Sequence, residues 1–300
     1  MPIRTVAIFS PGDMGVVMGQ VLSEHGLGIV TCVEGRSELT RLRAREVGFR
    51  EARSYDEAVA QADLVLSIVP PAEAPSVAER VVKSLHRTGA RPVYADCNAV
   101  APQTVKRIEA MISEVGATFV DVGIIGPPPE PGSSTRFYCS GPDTTIFEEL
   151  GKYGLDVRKV GQKVGEASGL KMVFAASTKG TTALWTELLV AARALGLEES
   201  LLKEYAIGRL TVSKALMGRI PSMPRRARRW VSEMEEIAAT FEAIGLTPRM
   251  LQGAADMYRF VGDTPLADQT SREPDPSLDA VLEALSRTLR GKAGVRDHKD

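Results

Sequence analysis

The sequence predicts an α/β protein in two parts. A doubly wound, mostly parallel sheet is expected over residues 1–164, followed by an all-α C-terminal domain over residues 165–300. Three observations predict this. Short apolar runs alternate with amphipathic helical stretches up to about residue 160, the pattern of repeated strand–helix units. A tight glycine turn, Gly12-Asp13-Met14-Gly15, joins the first apolar run to the first helix. Beyond Gly165 the strand pattern stops and only helical periodicity remains.

The first strand is Val6 to Phe9, an apolar run suited to a buried parallel strand. The helix after the turn places Met14, Val17, Met18, Val21 and Leu22 on one face. Gly28 to Val33 reads as a second strand, and Glu38 to Glu46 as a polar helix. Ala62 to Val69 is a third strand, stopped by Pro70-Pro71. The next helix carries Val77, Val81, Val82 and Leu85 on its inner face. Pro92 to Asp96 is a short strand, and Pro102 opens a helix from its first turn. Ala117 to Val122 is a further strand, running into a rigid Gly/Pro-rich loop from Gly123 to Gly132. Arg136 to Ser140 and Asp156 to Val160 complete the sheet.

The helical part begins with a long apolar helix from about Gly169 to Ala194. Helices follow at Leu201–Leu216, at Met223–Ile244 and from Pro248, then a Pro-rich linker from Gly262 to Pro276. The last helix spans Leu278–Leu289, with a frayed tail from Arg290. Arg225, Arg226, Arg228 and Arg229 precede Glu233, Glu235 and Glu236, a spacing suited to pairing along the helix.

Composition narrows the functional classes. Of 300 residues 44% are hydrophobic and 25% charged, with a net charge of -1. That balance gives no field attracting nucleic acid, and no apolar run approaches a membrane span. The start Met1-Pro2-Ile3-Arg4 lacks the layout of a signal peptide. Cys32, Cys97 and Cys139 show no paired or metal-binding spacing and read as reduced, packed thiols, so a cytoplasmic location and no metal are expected. His25, His86 and His298 all avoid strand ends, which argues against histidine-dependent catalysis.

The candidate site residues lie where strands end. Strand, glycine turn and helix form a phosphate cradle, in which backbone N–H groups and the positive end of the helix dipole hold a pyrophosphate. Its residues are Ser10, Pro11, Gly12, Asp13, Met14 and Gly15, with Ser10 standing where the usual G-x-G-x-x-G begins. About twenty residues on, where the ribose contact belongs, stand Glu34, Gly35, Arg36 and Ser37. Arg36-Ser37 favours the 2′-phosphate of NADP; Glu34 leaves NAD possible. Val69 and Pro70 should flank the nicotinamide, since ligands of open α/β sheets sit beyond the carboxyl ends of strands. Asn98 either bonds a ligand or caps the next helix. Lys171 lies in a largely apolar stretch, where desolvation favours the neutral amine, a credible general acid or base.

These landmarks together resemble the β-hydroxyacid dehydrogenase family, which includes 6-phosphogluconate and 3-hydroxyisobutyrate dehydrogenases. The resemblance rests on Gly12-Asp13-Met14-Gly15, Gly35-Arg36-Ser37, Ser67-Ile68-Val69-Pro70, Asp96 to Pro102, Gly123 to Pro127, and Gly165-x-x-x-Gly169-x-Lys171. It covers most of residues 3 to about 196, and Arg226 to Phe260 is similar to the C-terminal domain of one branch of the family. It implies a Rossmann domain and a proton-transferring role for Lys171 during hydride transfer between nicotinamide and a small-molecule substrate. It also implies substrate contacts near Asn98, Gly123, Ile125, Gly126, Lys171 and Ala175.

Three positions depart from the family pattern. Asn98 replaces Ser or Thr, Ile125-Gly126-Pro127 replaces a Ser-Gly-Gly loop, and Ala175 replaces an Asn one turn beyond the lysine. The expected function is an NADP-dependent oxidoreductase, with substrate between the two domains. The length of the apolar 169–194 helix points to a homodimer through the helical domain. A non-catalytic NADP-binding regulator is the alternative that Ala175 and Ile125 favour. A methyltransferase is disfavoured by Arg36-Ser37, which suits phosphate better than an uncharged ribose.

Overall fold

A computed structural model of the chain describes residues 3–9, 11–35, 38–130, 132–207, 217–270 and 273–296. Ser10, Arg36, Ser37, His298 and part of the helix expected over 201–216 therefore lie outside the described residues. The sheet has eight strands: β1 (Thr5–Phe9), β2 (Gly28–Thr31), β3 (Arg50–Glu51), β4 (Leu64–Ser67), β5 (Val93–Asp96), β6 (Phe119–Ile125), β7 (Arg136–Ser140) and β8 (Val157–Gly161). Their order is β3-β2-β1-β4-β5-β6-β7-β8. Only the β6–β7 pair is antiparallel. The first six strands follow the 3-2-1-4-5-6 order of a doubly wound dinucleotide fold.

Alternation along the strands explains the double winding. In β1, Ala7 and Phe9 enter one hydrophobic core, while Val6 and Ile8 enter the other. The first core takes its helical side from α3 (Tyr55–Gln61), α4 (Ala74–Thr88) and α5 (Pro102–Glu114). The second is covered by α1 (Asp13–Glu24) and α2 (Glu38–Glu46), with Phe147 of the short α6 (Thr145–Glu148). Both faces of the central strands β1, β4, β5 and β6 are buried, so these strands read as largely apolar runs.

Helix α7 (Glu166–Ala175) leads through a π turn at Ala176–Gly180 into α8 (Thr181–Ala194). The chain divides into two compact units, Met1–Met172 and Val173–Asp300, the division falling within α7. In the second unit α8 is followed by α9 (Glu198–Ile207), α10 (Pro224–Ala243), α11 (Arg249–Gly262) and α12 (Leu278–Arg296). Helices α10 and α11 form a hairpin whose turn holds Gly245 at φ 86°, and Met234, Ile237, Tyr258 and Val261 are buried. None of the described helices is long and apolar enough to cross a membrane.

Several expected boundaries move, each for a local reason. Gly123 to Ile125 belong to β6 and not to a loop, because antiparallel pairing with β7 continues to Ile125 opposite Arg136. Helix α7 starts at Glu166, ahead of Gly169, because buried acceptors satisfy its first amides. The 262–276 stretch contains a 3-10 turn at Pro265–Asp268, with Ala267 buried. Helix α12 continues to Arg296, past the expected end at Leu289. The arginine cluster pairs largely off its own helix: Arg225 reaches Asp275 at 3.0 Å and Arg228 reaches Asp268 at 2.7 Å. Arg229 pairs along it, with Glu233 at 3.5 Å.

Candidate active site

The glycine turn presents an uncapped helix end. Gly12 is the N-cap of α1, with extended backbone (φ -79°, ψ -167°) and no side-chain capping bond. Any residue adopts that conformation, and no atom lies within 4 Å of where a Gly12 Cβ would stand. Neither strain nor packing therefore demands this glycine. The missing side chain leaves open space against the first-turn N–H groups, the arrangement a pyrophosphate needs. Gly15 has a packing role: a Cβ there would touch Ile8 at 3.4 Å. Pro11 is buried, and the Asp13 carboxylate pairs with Arg43 at 2.8 Å, which offsets its charge beside the cradle.

At the carboxyl edge of the sheet, Asn98 ties two strand ends together. Its Oδ1 accepts from the Val69 N–H at 2.7 Å, and its Nδ2 donates to Ser67 Oγ at 3.0 Å. Its own N–H donates to Asp96 Oδ1 at 3.0 Å. Asn98 is buried and does not cap α5, whose N-cap is Ala101. The amide instead fixes the backbone of Val69, just ahead of exposed Pro70.

A buried polar rung crosses the sheet at the same level. Strand register aligns Ser67 with Asp96, Asp96 with Asp121, and Asp121 with Ser140, all buried. Asp121 Oδ2 accepts from Ser140 Oγ at 3.0 Å, the Gly165 N–H at 2.8 Å and the Ser168 N–H at 3.1 Å, while Oδ1 accepts from Ser168 Oγ at 2.5 Å. Ser140 Oγ accepts in turn from the Ala167 N–H at 3.0 Å. These bonds satisfy the start of α7, and a carboxylate at a helix N-terminus also meets the positive end of its dipole. Burial pushes the Asp121 carboxyl above its ordinary range, against the pull of its hydrogen bonds. Burial likewise drives Asp96 up to about 7, opposed by its Asn98 contacts and reinforced by the neighbouring Asp121 charge.

Helix α7 delivers Lys171 to this edge. Lys171 Nζ donates to the Ile124 carbonyl of β6. The close approach depends on Gly123, where a Cβ would lie 2.5 Å from the Ala167 carbonyl oxygen and 3.2 Å from Lys171 Cβ. Ile125 is buried within β6. Gly126, at φ 135°, packs against Thr135, whose Cα would sit 2.7 Å from an added Cβ. Ala175, one turn past Lys171 on α7, is buried in the second unit. The histidines stay apart from this chemistry: His25 Nδ1 contacts the Val21 carbonyl at 2.8 Å, and His86 is exposed.

Sequence reasoning missed Asp121 and Asp96 as functional supports. The available signal was an acid inside or closing an apolar strand, as in Val120-Asp121-Val122, since such acids are buried and must be satisfied. It also missed the cations near the end of β2. Arg41, Glu34 and Arg53 line a cavity of about 460 Å³, and Arg41 Nε is buried with no hydrogen-bond partner among the described residues.

Comparison with known proteins fits this geometry. Residues 5–152 match the family model of the NAD binding domain of 6-phosphogluconate dehydrogenase. Residues 192–261 match a domain of unknown function, DUF1932. A solved conserved protein of unknown function, described as structurally similar to 3-hydroxyacid dehydrogenases, is 31% identical, with TM-score 0.65 over 86% of this chain and 97% of that one. The chain belongs to the β-hydroxyacid dehydrogenase-like family, whose members are NAD(P)-dependent dehydrogenases and reductases. An uncharacterized 28.5 kDa protein from Methanothermus fervidus is also 31% identical over 252 residues, 83% of this chain and 96% of the relative. The fold is shared with 3-hydroxyisobutyrate dehydrogenase of Mycobacterium tuberculosis at TM-score 0.69 and 20% identity, over 95% of this chain and 99% of that one. The family placement makes a nicotinamide dinucleotide the cofactor class of this chain.

Proposed function

We propose that this protein is an NADP-dependent oxidoreductase that transfers hydride between nicotinamide and a small hydroxy acid, alcohol or related carbonyl compound, with Lys171 as general acid/base. The observation that carries this reading is the placement of the Lys171 amine on the Ile124 carbonyl, at the carboxyl edge of the sheet. Ligands of open α/β folds sit at that edge. The nicotinamide ring supplies or accepts the hydride. In oxidation the Lys171 amine takes the proton of the substrate hydroxyl, and in reduction it returns one to the forming alkoxide. Ser10, Pro11 and the first-turn amides from Gly12 to Gly15 hold the pyrophosphate. Arg36 and Ser37, joined by Arg41, take the 2′-phosphate. Val69 and Pro70, steadied by Asn98, flank the nicotinamide. Gly123, Ile125 and Gly126 shape the substrate side chiefly by backbone, because their side chains are absent or buried.

The helical domain supports association of two copies. Val173, Phe174, Leu184 and Leu188 are exposed along α7 and α8. Large apolar side chains left in solvent are the raw material of an interface. We propose a homodimer through this face, checked by light scattering of the wild type and of Leu188→Glu, which should shift toward monomer.

The function is tested in two steps. Calorimetry should find binding of NADPH, and a screen of NADPH oxidation over aldehydes, keto acids and imines should find turnover. In Lys171→Ala, turnover should fall by about 10²–10⁴-fold, the usual worth of a positioned acid/base, with cofactor affinity unchanged. Full turnover in that variant removes Lys171 from the chemistry. Tight NADPH binding without turnover across the screen supports the regulatory alternative, which the substitutions at Ala175 and Ile125 favour.

A further inference from the structure

We infer that Arg80 sets the preference for NADPH over NADH by drawing Glu34 off the ribose 2′ position and offering its own charge there. This rests on the nicotinamide-dinucleotide reading of the glycine-turn site. The problem it answers is electrostatic. Glu34 follows β2 by three residues, where an acidic side chain grips the ribose hydroxyls of NAD. A carboxylate left there repels a 2′-phosphate, yet the neighbouring sequence suits that phosphate.

The structure shows Glu34 turned toward a cation on another helix. Arg80 of α4 stands 3.8 Å from Glu34 Oε2. The guanidinium is held by stacking: it lies 4.3 Å over the Tyr55 ring. Tyr55 in turn stacks on Phe9 with centroids 4.3 Å apart and planes 6° from parallel. Phe9 ends β1 immediately before the phosphate turn, so three planar groups run outward from the cradle to Arg80. Such a stack suits the planar guanidinium better than a lysine ammonium.

Glu34 and Arg80 line a cleft of about 260 Å³ with Tyr55, Asp56, Lys83 and Arg87. Arg87 is committed to Asp56 through two bonds of 2.7 and 2.6 Å. The Arg80–Glu34 contact is longer than a hydrogen bond, so it neutralises the carboxylate without using up the guanidinium donors. Glu34 also lines the cavity of Arg41, Arg53 and Glu51, so the carboxylate stands between two pockets that each hold arginines. With Arg80 engaged, both pockets can face a phosphate. Without Arg80, Glu34 is free to return to the ribose.

Calorimetry of NADPH and NADH binding to the wild type, Arg80→Ala, Glu34→Gln and the double variant tests this. Arg80→Ala should weaken NADPH about tenfold, the equivalent of ~1.4 kcal/mol, and leave NADH within about threefold. Glu34→Gln should tighten NADPH and leave NADH within about threefold. The double variant should recover most of the NADPH affinity lost in Arg80→Ala, because the uncompensated carboxylate causes that loss. Equal weakening of both dinucleotides by Arg80→Ala, or a double variant no better than Arg80→Ala, overturns the inference alone. Failure of the folded wild type to bind either dinucleotide overturns the cofactor assignment and the inference with it.

Discussion

Asp121 on β6 accepts both the backbone N–H and the hydroxyl of Ser168 on α7, at 3.1 and 2.5 Å, across 47 residues of sequence. The same carboxylate accepts from Gly165 and Ser140, so one buried side chain anchors the helix that carries Lys171. Asp121→Ala leaves buried donors at the start of α7 without acceptors. Each stranded donor costs about 1–3 kcal/mol, so a total loss of ~3 kcal/mol or more is expected. Urea unfolding at constant m-value measures it. Asp121→Asn should fall between, because an amide offers one acceptor where the carboxylate offers two. A loss below about 1 kcal/mol in the alanine variant would show that α7 is held by other means.

Gly123→Ala tests a second contact between β6 and the same helix. The new methyl would stand 2.5 Å from a backbone oxygen of Ala167, which has no rotamer to escape into. Overpacking of this kind costs about 1–3 kcal/mol, and here the relief is a shift of α7 away from β6. Lys171 moves with the helix and leaves the Ile124 carbonyl. Melting temperature and NADPH turnover should therefore fall together, whereas a neutral result would mean that β6 yields without disturbing the lysine.

The same pair of contacts shows what the sequence could and could not reveal. Strand–helix alternation and the Gly12–Gly15 turn foretold a doubly wound, mostly parallel sheet, because burial on both faces forces apolar runs at that spacing, while the short, exposed edge strand Arg50–Glu51 carries no such run. Lys171 was legible as a charge in an apolar stretch. Gly123 reads as part of a loop but lies in β6, since no local pattern tells a loop glycine from one packed against a helix 44 residues away; Asp121, its near neighbour, bonds Gly165 over that separation. Asn98, expected to bond a ligand or cap a helix, does not cap α5 and holds Val69, a contact spanning 29 residues. The Arg80–Tyr55–Phe9 stack joins three elements and left no trace in any one of them.

Asp96 makes a pH prediction. Its carboxyl is raised to about 7 by burial, and its Oδ2 has no hydrogen-bond partner among the described residues. An unfolded-chain carboxyl titrates near 3.8. Between those values the folded state binds the proton more tightly than the unfolded state does. This group's contribution to stability is thus fully present below pH ~4, declines as pH rises, and is lost above pH ~7. Asp96→Asn keeps the Oδ1 acceptor for the Asn98 N–H and cannot ionise. Unfolding free energies measured from pH 5 to pH 8 should fall less steeply with pH in this variant, by a few kcal/mol over the range. Parallel curves for the two proteins would show that Asp96 does not titrate there.

In the second unit, Lys179 on the π turn forms an ion pair with Glu233 of α10, and both side chains are largely buried. The ammonium also lies 5.7 Å from the Trp230 ring centre, and the Tyr258 hydroxyl donates to the Lys179 carbonyl at 2.6 Å. A π turn displaces the helical hydrogen-bond ladder, and here Tyr258 supplies a donor to a carbonyl within it. Removing one member of a buried pair strands the other, at a cost of about 3–5 kcal/mol. Arg229, 3.5 Å from Glu233, softens this from the acidic side, so Lys179→Met should sit at the lower end of that range. The double variant Lys179→Met/Glu233→Leu, which removes both charges, should regain most of the loss, since an apolar pair of similar volume is often as stable as a buried ion pair. Tyr258→Phe should cost about 1 kcal/mol for its single hydrogen bond. Denaturant melts of the wild type, Lys179→Met, Glu233→Leu, the double variant and Tyr258→Phe decide the matter: additive losses in the double variant would mean that the charges act independently and do not form one buried pair.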